Sequence, residues 1–204
     1  MFSGIVEEIG TVRHAEHTPE KSMLTIEADT SLQDTRIGDS IAVNGACLTV
    51  CSHTNNSFVV EAIPETIRLT NLGNLNVGSP VNLERSITPT TRIGGHLIQG
   101  HVDGATTIEC IEQNGCAIKV WFKKLDTYSE CFIPKGYICI DGMSLTVVDV
   151  TPTLFSICFI PHTQAVTIVK QYQVGTQVNV EIDHITKTVS MILKAKEAAH
   201  ALDY

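Results

Sequence analysis

Short apolar segments separated by turn residues run through the whole sequence. Four segments rich in Val, Ile, Thr and Phe are Ser40–Val43, Leu48–Val50, Ser57–Ala62 and Val81–Glu84. Segments of this length and composition are typical of β-strands. The Asn44-Gly45 and Asp141-Gly142 dipeptides are the strongest hairpin signals, because such pairs favour the left-handed backbone of a type I′ turn. Several short strands in each half predict a small all-β barrel or sandwich, and closure into a barrel best protects the sheet edges.

The pattern occurs twice, at an offset of 97 residues. Gly78–Glu84 returns as Gly175–Glu181, and Asn44–Val50 returns as Asp141–Val147. Near the start of each half, Gly4-Ile5-Val6 matches Gly100-His101-Val102 at an offset of 96, which implies a one-residue difference in an early loop. A repeat that holds its register over most of each half predicts two tandem copies of one module.

A different pattern begins after the second copy. Lys187–Leu202 carries a roughly helical apolar stripe without Gly or Pro, and it predicts one amphipathic helix. This helix either packs onto a barrel or forms a subunit contact. The polar stretch Thr88–Gly95 contains Pro and Gly and is suited to a linker. We therefore expect three units: a first barrel over residues 1–96, a second over 97–186, and a C-terminal oligomerisation helix over 187–204.

Composition narrows the class of protein. A formal net charge of −8 without a basic stripe argues against a nucleic-acid partner. The apolar runs are too short to cross a bilayer, and no basic leader precedes the first strand-like residues, so we expect a cytoplasmic location and no membrane partner. Seven cysteines are an odd number that suits free thiols, most of them in the core, and their spacing does not suggest a zinc site.

The two copies differ where reactive side chains occur. Cys47 stands where the second copy has Ser144, and Ile5 stands where it has His101. Taken alone, Cys47 is more often a structural thiol than a nucleophile. His101 lies in the glycine-rich run Gly94–Gly104, where the backbone can approach a ligand and an imidazole can transfer a proton. His96 in the same run is more simply interpreted as a loop-stabilising residue.

A third matched pair combines a strand end with a proline-directed turn. Glu61–Thr66 and Phe159–Gln164 could bind a flat polar heterocycle through backbone groups, or each could be an ordinary hairpin turn. Lys135 and Asp183 are further candidates, the first to neutralise charge on a ligand and the second to orient a hydroxyl. Both residue types are most often simply solvated.

These strings together resemble the riboflavin synthases of the lumazine-binding repeat family. The resemblance rests on Met1–Val6, Val43–Val50, Glu65–Leu72, Gly94–Gly104, Trp121-Phe122, Lys135-Gly136 and Ile140–Val147. It implies two tandem six-stranded Greek-key β-barrels related by pseudo-twofold symmetry, plus a C-terminal α-helix. It also implies a transferase that dismutates two molecules of 6,7-dimethyl-8-ribityllumazine into riboflavin and 5-amino-6-(D-ribitylamino)uracil, the last step of riboflavin biosynthesis. The family uses no redox cofactor and no metal.

The resemblance further implies an assembly and a set of site residues. The family is typically a homotrimer, its active site lies between the N-terminal barrel of one subunit and the C-terminal barrel of another, and some members are enclosed by a lumazine synthase capsid. The first pocket is lined in the family by residues matching Gly4, Ile5, Val6, Cys47, Leu48, Thr49, Glu61, Ala62, Ile63, Pro64, Glu65 and Thr66. The second is lined by those matching Gly100, His101, Val102, Lys135, Ser144, Leu145, Thr146, Phe159, Ile160, Pro161, His162, Thr163 and Gln164.

Five of the candidate residues are assigned a catalytic role as a hypothesis. His101 helps to remove a proton from the C7 methyl group of one lumazine, while Ser144, Cys47 or water adds to C7 of the other. Thr146 and Asp183 assist positioning.

Two other classes compete with an enzyme: a non-catalytic lumazine- or flavin-binding antenna protein and a two-barrel scaffold. Cys47, His101 and Ser144 favour the enzyme.

Overall fold

In the computed structural model, which describes residues 1–200, each half of the chain closes into an antiparallel barrel of six strands. The first barrel is formed by β1 (Glu8–His17), β2 (Ser22–Glu27), β3 (Ser40–Val43), β4 (Ala46–His53), β5 (Ser57–Ala62) and β6 (Pro80–Arg85). Its spatial order is β1-β2-β5-β4-β3-β6. Because β2 lies beside β5 rather than beside β3, the connection is the predicted Greek key.

The second barrel repeats the first. It is formed by β7 (Gly104–Asn114), β8 (Ala117–Lys123), β9 (Tyr137–Ile140), β10 (Met143–Val150), β11 (Leu154–Phe159) and β12 (Gln177–Ile182). The two turns predicted from Asn-Gly and Asp-Gly are present, since φ is 46° at Asn44 and 79° at Gly45, and 44° at Asp141 and 83° at Gly142. The sequence repeat is therefore a repeat of structure.

Short helices follow β5 and β11, where the sequence predicted strand ends and turns. They are α1 (Pro64–Leu69) and α2 (Pro161–Val166), and each begins with a proline whose fixed φ suits the first helical position. Six residues are too few to show a helical period in the sequence. Within residues 1–200, four 3₁₀ helices complete the connections: Thr30–Leu32, Asn71–Asn74, Asp126–Cys131 and Ile168–Gln171.

The C-terminal helix α3 (His184–His200) begins three residues before the predicted start at Lys187. Asp183 explains the earlier start, because its Oδ2 accepts the backbone N–H of Thr186 at 3.1 Å and the hydroxyl of Thr186 at 2.9 Å. The predicted end of this unit, residues 201–204, lies outside the described residues. Within residues 1–200, no helix is long and apolar enough to cross a membrane.

The barrels meet along a pseudo-twofold axis through their hairpin turns. The side-chain amide of Asn82 donates to the carbonyl of Asp141 at 2.8 Å, and Asn179 donates reciprocally to the carbonyl of Asn44 at 2.8 Å. Phe2 and Ile98 exchange two backbone hydrogen bonds of 2.8 and 3.0 Å across the same junction. These reciprocal bonds pair the buried polar groups of the junction and fix how the two barrels meet.

The cysteines are free thiols, but they are not mainly core residues. Cys131 and Cys139 are buried, whereas Cys51, Cys110 and Cys116 are exposed. The prediction of mostly buried thiols was wrong because Cys51 and Cys110 occupy exposed positions of β4 and β7, and Cys116 lies in the turn between β7 and β8.

Candidate functional site

Two related sites lie at the junction of the barrels, one at Cys47 and one at Ser144. Each residue is the second of its strand, β4 or β10, immediately after the hairpin turn that faces the other barrel. Both side chains are partly accessible to solvent. The tight turns thus bring the strand positions that differ between the copies to the surface beside the junction.

The family resemblance grouped Gly4–Val6 with Cys47 and Gly100–Val102 with Ser144. In the structure the two glycine segments are exchanged between these sites. The carbonyl of Gly100 accepts the N–H of Cys47 at 2.9 Å, and the carbonyl of Gly4 accepts the N–H of Ser144 at 2.8 Å. Val102 accordingly packs against the first core and Val6 against the second. Each barrel is therefore completed by a segment that leads into the other barrel, and the expected grouping of Gly4–Val6 with Cys47 was wrong.

Close approach explains why both segments use glycine. Gly4 and Gly100 have φ of 77° and 78°, a conformation that disfavours other residues. A Cβ added to Gly4 would lie 2.5 Å from the Cβ of Ser144, and one added to Gly100 would lie 2.5 Å from the Cβ of Cys47. A side chain at either position would displace its segment from the site.

We call the first group the Cys47 site. It consists of Cys47–Thr49 on β4, Glu61–Thr66 at the end of β5 and the start of α1, and Gly100–Val102. His101 is exposed here, and its backbone N–H donates to Glu181 at 2.8 Å. Glu61 is also exposed and forms an ion pair with Lys21 at 2.7 Å. This site thus combines a thiol, an exposed imidazole and an accessible strand end.

The second group, the Ser144 site, consists of Ser144–Thr146 on β10, Phe159–Gln164 and Gly4–Val6. Lys135 lies beside it, since its N–H donates to the carbonyl of Val147 at 2.8 Å. Phe159 is fully buried in the second core, so only its backbone can serve a ligand. The side-chain amide of Gln164 donates a hydrogen bond to the backbone carbonyl of Phe159 at 2.9 Å.

His96 belongs to the Ser144 site, which the sequence did not reveal. Its Nδ1 lies 2.7 Å from the Ser144 hydroxyl, and its ring stacks on Tyr137 with centroids 5.0 Å apart and planes inclined by 19°. Burial lowers the pKa of His96, and the negative charge of Asp183 acts in the opposite direction. A largely neutral imidazole can accept the serine proton, so the contact is more than the loop support that the sequence suggested.

Asp183 and Thr146 have different surroundings. The Asp183 carboxylate caps α3 through Thr186, and both hydrogen bonds end on Oδ2, so its expected role toward a ligand hydroxyl stays a prediction. Thr146 is exposed on β10 and is free to approach a ligand. Within the described residues, no three His, Cys, Asp or Glu side chains are grouped as a metal site.

Comparisons with known proteins show which family the chain belongs to. The model of the lumazine binding domain matches twice, at residues 3–86 and 99–183. Riboflavin synthase of Bacillus subtilis is 42% identical over 198 residues, covering 97% of this chain and 92% of the relative. Riboflavin synthase of Schizosaccharomyces pombe is 45% identical over 197 residues, covering 96% and 95%. A crystal structure of LumP complexed with riboflavin has the same fold, with a TM-score of 0.83 at 24% identity over 89% of this chain and 99% of that one.

Proposed function

The chain belongs to the lumazine-binding domain family, and from this premise we propose that it catalyses the dismutation of 6,7-dimethyl-8-ribityllumazine. Two substrate molecules react by transfer of a four-carbon unit and give riboflavin and 5-amino-6-(D-ribitylamino)uracil. It is a transferase reaction, the activity of a riboflavin synthase. The observation that carries the assignment is the relationship to riboflavin synthases over nearly the whole chain, which contains Cys47, His101 and Ser144.

Duplication of the barrel suits a reaction between two identical molecules. Each site binds one lumazine, and holding both removes much of the entropic cost of bringing them together. The strand segments Cys47–Thr49 and Ser144–Thr146, with the strand ends at Glu61–Thr66 and Phe159–Gln164, offer backbone donors and acceptors to the flat ring. The site residues expected from the family are therefore all retained as the proposed lining, with the glycine segments exchanged between the two pockets.

The reactive side chains have different roles in the two sites. His101, exposed in the Cys47 site, takes a proton from the C7 methyl group of the lumazine bound there, and the ring retains the electron pair as a carbanion. In the Ser144 site, the serine hydroxyl or a water adds to C7 of the other lumazine, its proton passes to Nδ1 of His96, and the ring takes the negative charge. Ser144 is better placed than Cys47 for the addition, because it has an imidazole at hydrogen-bond distance.

The remaining candidates position the substrate. Lys135 is exposed next to the Ser144 site and neutralises charge that develops on the ring. Thr146 offers its hydroxyl to the same ligand. Asp183 caps α3 through Oδ2, opposes the lowering of the His96 pKa, and orients a hydroxyl of the ligand.

The C-terminal helix supports a homotrimer with the reaction between the barrels of different subunits. Ile185, Val189 and Ile192 on α3 are exposed, at 72%, 51% and 53% of their surface, and a subunit contact would cover them. The expected division into residues 1–96, 97–186 and 187–204 gives this oligomerisation role to the third unit. A cytoplasmic location completes the proposal. Light scattering coupled to size exclusion measures the subunit number, and a monomer would contradict the trimer.

Turnover of purified protein tests the function. With 6,7-dimethyl-8-ribityllumazine as the only substrate, chromatography should detect riboflavin and 5-amino-6-(D-ribitylamino)uracil in equal amounts, each at half the substrate consumed. The second candidate is an antenna-type lumazine- or flavin-binding protein, favoured by the fold shared with LumP. Ligand binding without product would support that candidate, and neither binding nor product would leave only a scaffold.

A further inference from the structure

Two buried glutamates occupy equivalent positions beneath the sites. Glu84 on β6 and Glu181 on β12 are 5% and 4% exposed. Among residues 1–200, neither carboxylate has a lysine, arginine or histidine ion-pair partner. Burying an unpaired carboxylate is costly unless hydrogen bonds replace its water. Their partners therefore indicate why the duplicated module contains them.

Both carboxylates bind backbone N–H groups of the glycine segments. Glu181 accepts the N–H of Gln99 at 2.7 Å on one oxygen and the N–H of His101 at 2.8 Å on the other. Glu84 accepts the N–H and the hydroxyl of Ser3 at 2.7 and 2.8 Å on one oxygen and the N–H of Gly4 at 3.0 Å on the other. Two acceptor oxygens in a fixed fork hold each segment at two points.

The segment held by one barrel lies in the site of the other barrel. Glu181 belongs to the second barrel, but the Gly100 carbonyl it helps to fix accepts the N–H of Cys47 in the first. Glu84 belongs to the first barrel, and the Gly4 carbonyl accepts the N–H of Ser144 in the second. Each carboxylate therefore connects its own strand to the opposite site through one short loop.

We propose that Glu181 is the positioning residue for His101 and that Glu84 is its counterpart for Gly4 and Ile5. The proposal rests on the proposed function, since it assigns His101 to proton transfer. The consequences for the two sites differ because the imidazole of His101 can transfer a proton and the side chain of Ile5 cannot. Loss of the Glu181 fork displaces His101, which itself transfers the proton, and lowers kcat. Loss of the Glu84 fork displaces Gly4 and Ile5, which contact Ser144 and the ligand but carry no reacting group, and mainly raises KM.

Glutamine substitutions provide a matched test, because Glu→Gln keeps the size and replaces one acceptor oxygen by an NH₂ group that faces an N–H. In Glu181→Gln we expect kcat to fall about tenfold, the loss of one charge-assisted hydrogen bond, with KM changed less than kcat. In Glu84→Gln we expect the larger change in KM. Circular dichroism and thermal unfolding establish the folded fraction to which both rates are normalised.

Alkylation of Cys47 reports on the Gly100 segment independently of turnover, because this segment packs directly on the Cys47 side chain. With iodoacetamide and peptide mass spectrometry, Glu181→Gln should raise the alkylation rate of Cys47 several-fold relative to the exposed Cys51, and Glu84→Gln should leave that ratio unchanged. An equal rise in both variants would indicate general loosening and overturn the proposal.

The kcat of the Glu181 variants and the activity of the wild-type protein also decide between the positioning role and the proposed function. Unchanged kcat in folded Glu181→Gln would overturn the proposal, whereas an inactive wild-type protein would overturn the proposed function instead. If Glu181→Gln does not fold, Glu181→Asp replaces it: the shorter side chain keeps the charge but cannot reach both N–H groups. Its kcat should lie below that of the wild-type protein, and equality would again contradict a positioning role.

Discussion

The two barrels share their architecture and differ in their reactive positions. Both have the same strand order, the same left-handed hairpin turn, the same glycine segment and the same buried glutamate. They differ at Cys47 against Ser144, at Ile5 against His101, and at Gly38 against Lys135. A further difference is buried at the junction, where Asn44 is matched by Asp141.

The distribution of these differences separates folding from chemistry. Gly45 and Gly142 in the hairpin turns, and Glu84 and Glu181 beneath the glycine segments, are the same in both copies because the same backbone must be built twice. Positions that reach the sites are free to differ, and a reaction in which identical substrates take opposite roles requires that they do. Substitutions that exchange or equalise the copies are therefore the most informative.

Removing the imidazole from the Cys47 site should have the largest effect. His101→Gln keeps the backbone that Glu181 binds but cannot take a proton, so we expect kcat to fall by about 10²–10⁴-fold, the usual contribution of a general base. Steady-state assays with 6,7-dimethyl-8-ribityllumazine measure the effect. The wild-type protein treated identically and ligand titration of the variant serve as controls. Undiminished turnover would remove His101 from the mechanism.

Equalising the strand positions should have the next largest effect and should be asymmetric. Ser144→Ala removes the hydroxyl that His96 contacts, and we expect kcat to fall by about 10²-fold. Cys47→Ala, the matched change in the other barrel, should cost less than about tenfold because the thiol has no base in contact. A larger loss from Cys47→Ala than from Ser144→Ala would reverse the assignment of the adding group.

Asp141 makes the junction sensitive to pH, and its counterpart Asn44 does not. Burial raises the pKa of Asp141 to about 7, although it accepts hydrogen bonds from Asn179, Tyr172 and Asn71. The ordinary value is 3.8, so between about pH 4 and pH 7 the folded protein binds a proton that the unfolded chain has released. The free energy of unfolding therefore falls as pH rises through this window and levels off above it.

Asp141→Asn, which restores the match to Asn44, should remove this pH dependence. Urea unfolding at pH 5 and pH 8 should show a decline for the wild-type protein that is smaller in the variant, by on the order of 2 kcal/mol. Asn44→Asp is the reciprocal variant and should steepen the decline. Identical declines in wild-type protein and Asp141→Asn would show that other groups control the pH dependence.

The sequence repeat predicted the barrels and the matched site positions because the spacing of turns and strands is kept in both copies. It did not predict that Gly4 reaches Ser144 and Gly100 reaches Cys47, since this exchange depends on how the barrels pack. The contact of His96 with Ser144 was not predicted for a related reason: the two residues are distant in sequence and meet only in the folded protein. Glu84 and Glu181 were visible in the repeated strings, and a charged residue within a buried strand was the signal that could have identified them.

Lys135 should show the smallest effect and the one that separates stability from activity. Its φ of 66° is left-handed, whereas the first copy has Gly38 there with φ of 95°. Lys135→Gly should relieve backbone strain and stabilise the protein by about 0.5–1 kcal/mol, after allowance for the greater freedom of glycine in the unfolded chain. The same variant should raise KM, because the charge beside the Ser144 site is lost. Gly38→Lys is the matched control: a Cβ there meets no atom within 4 Å, so any destabilisation, expected at about 1 kcal/mol, reports backbone conformation alone. A lower free energy of unfolding in Lys135→Gly would contradict this account. It would show that the left-handed backbone at Lys135 does not destabilise the protein in exchange for a charge beside the Ser144 site.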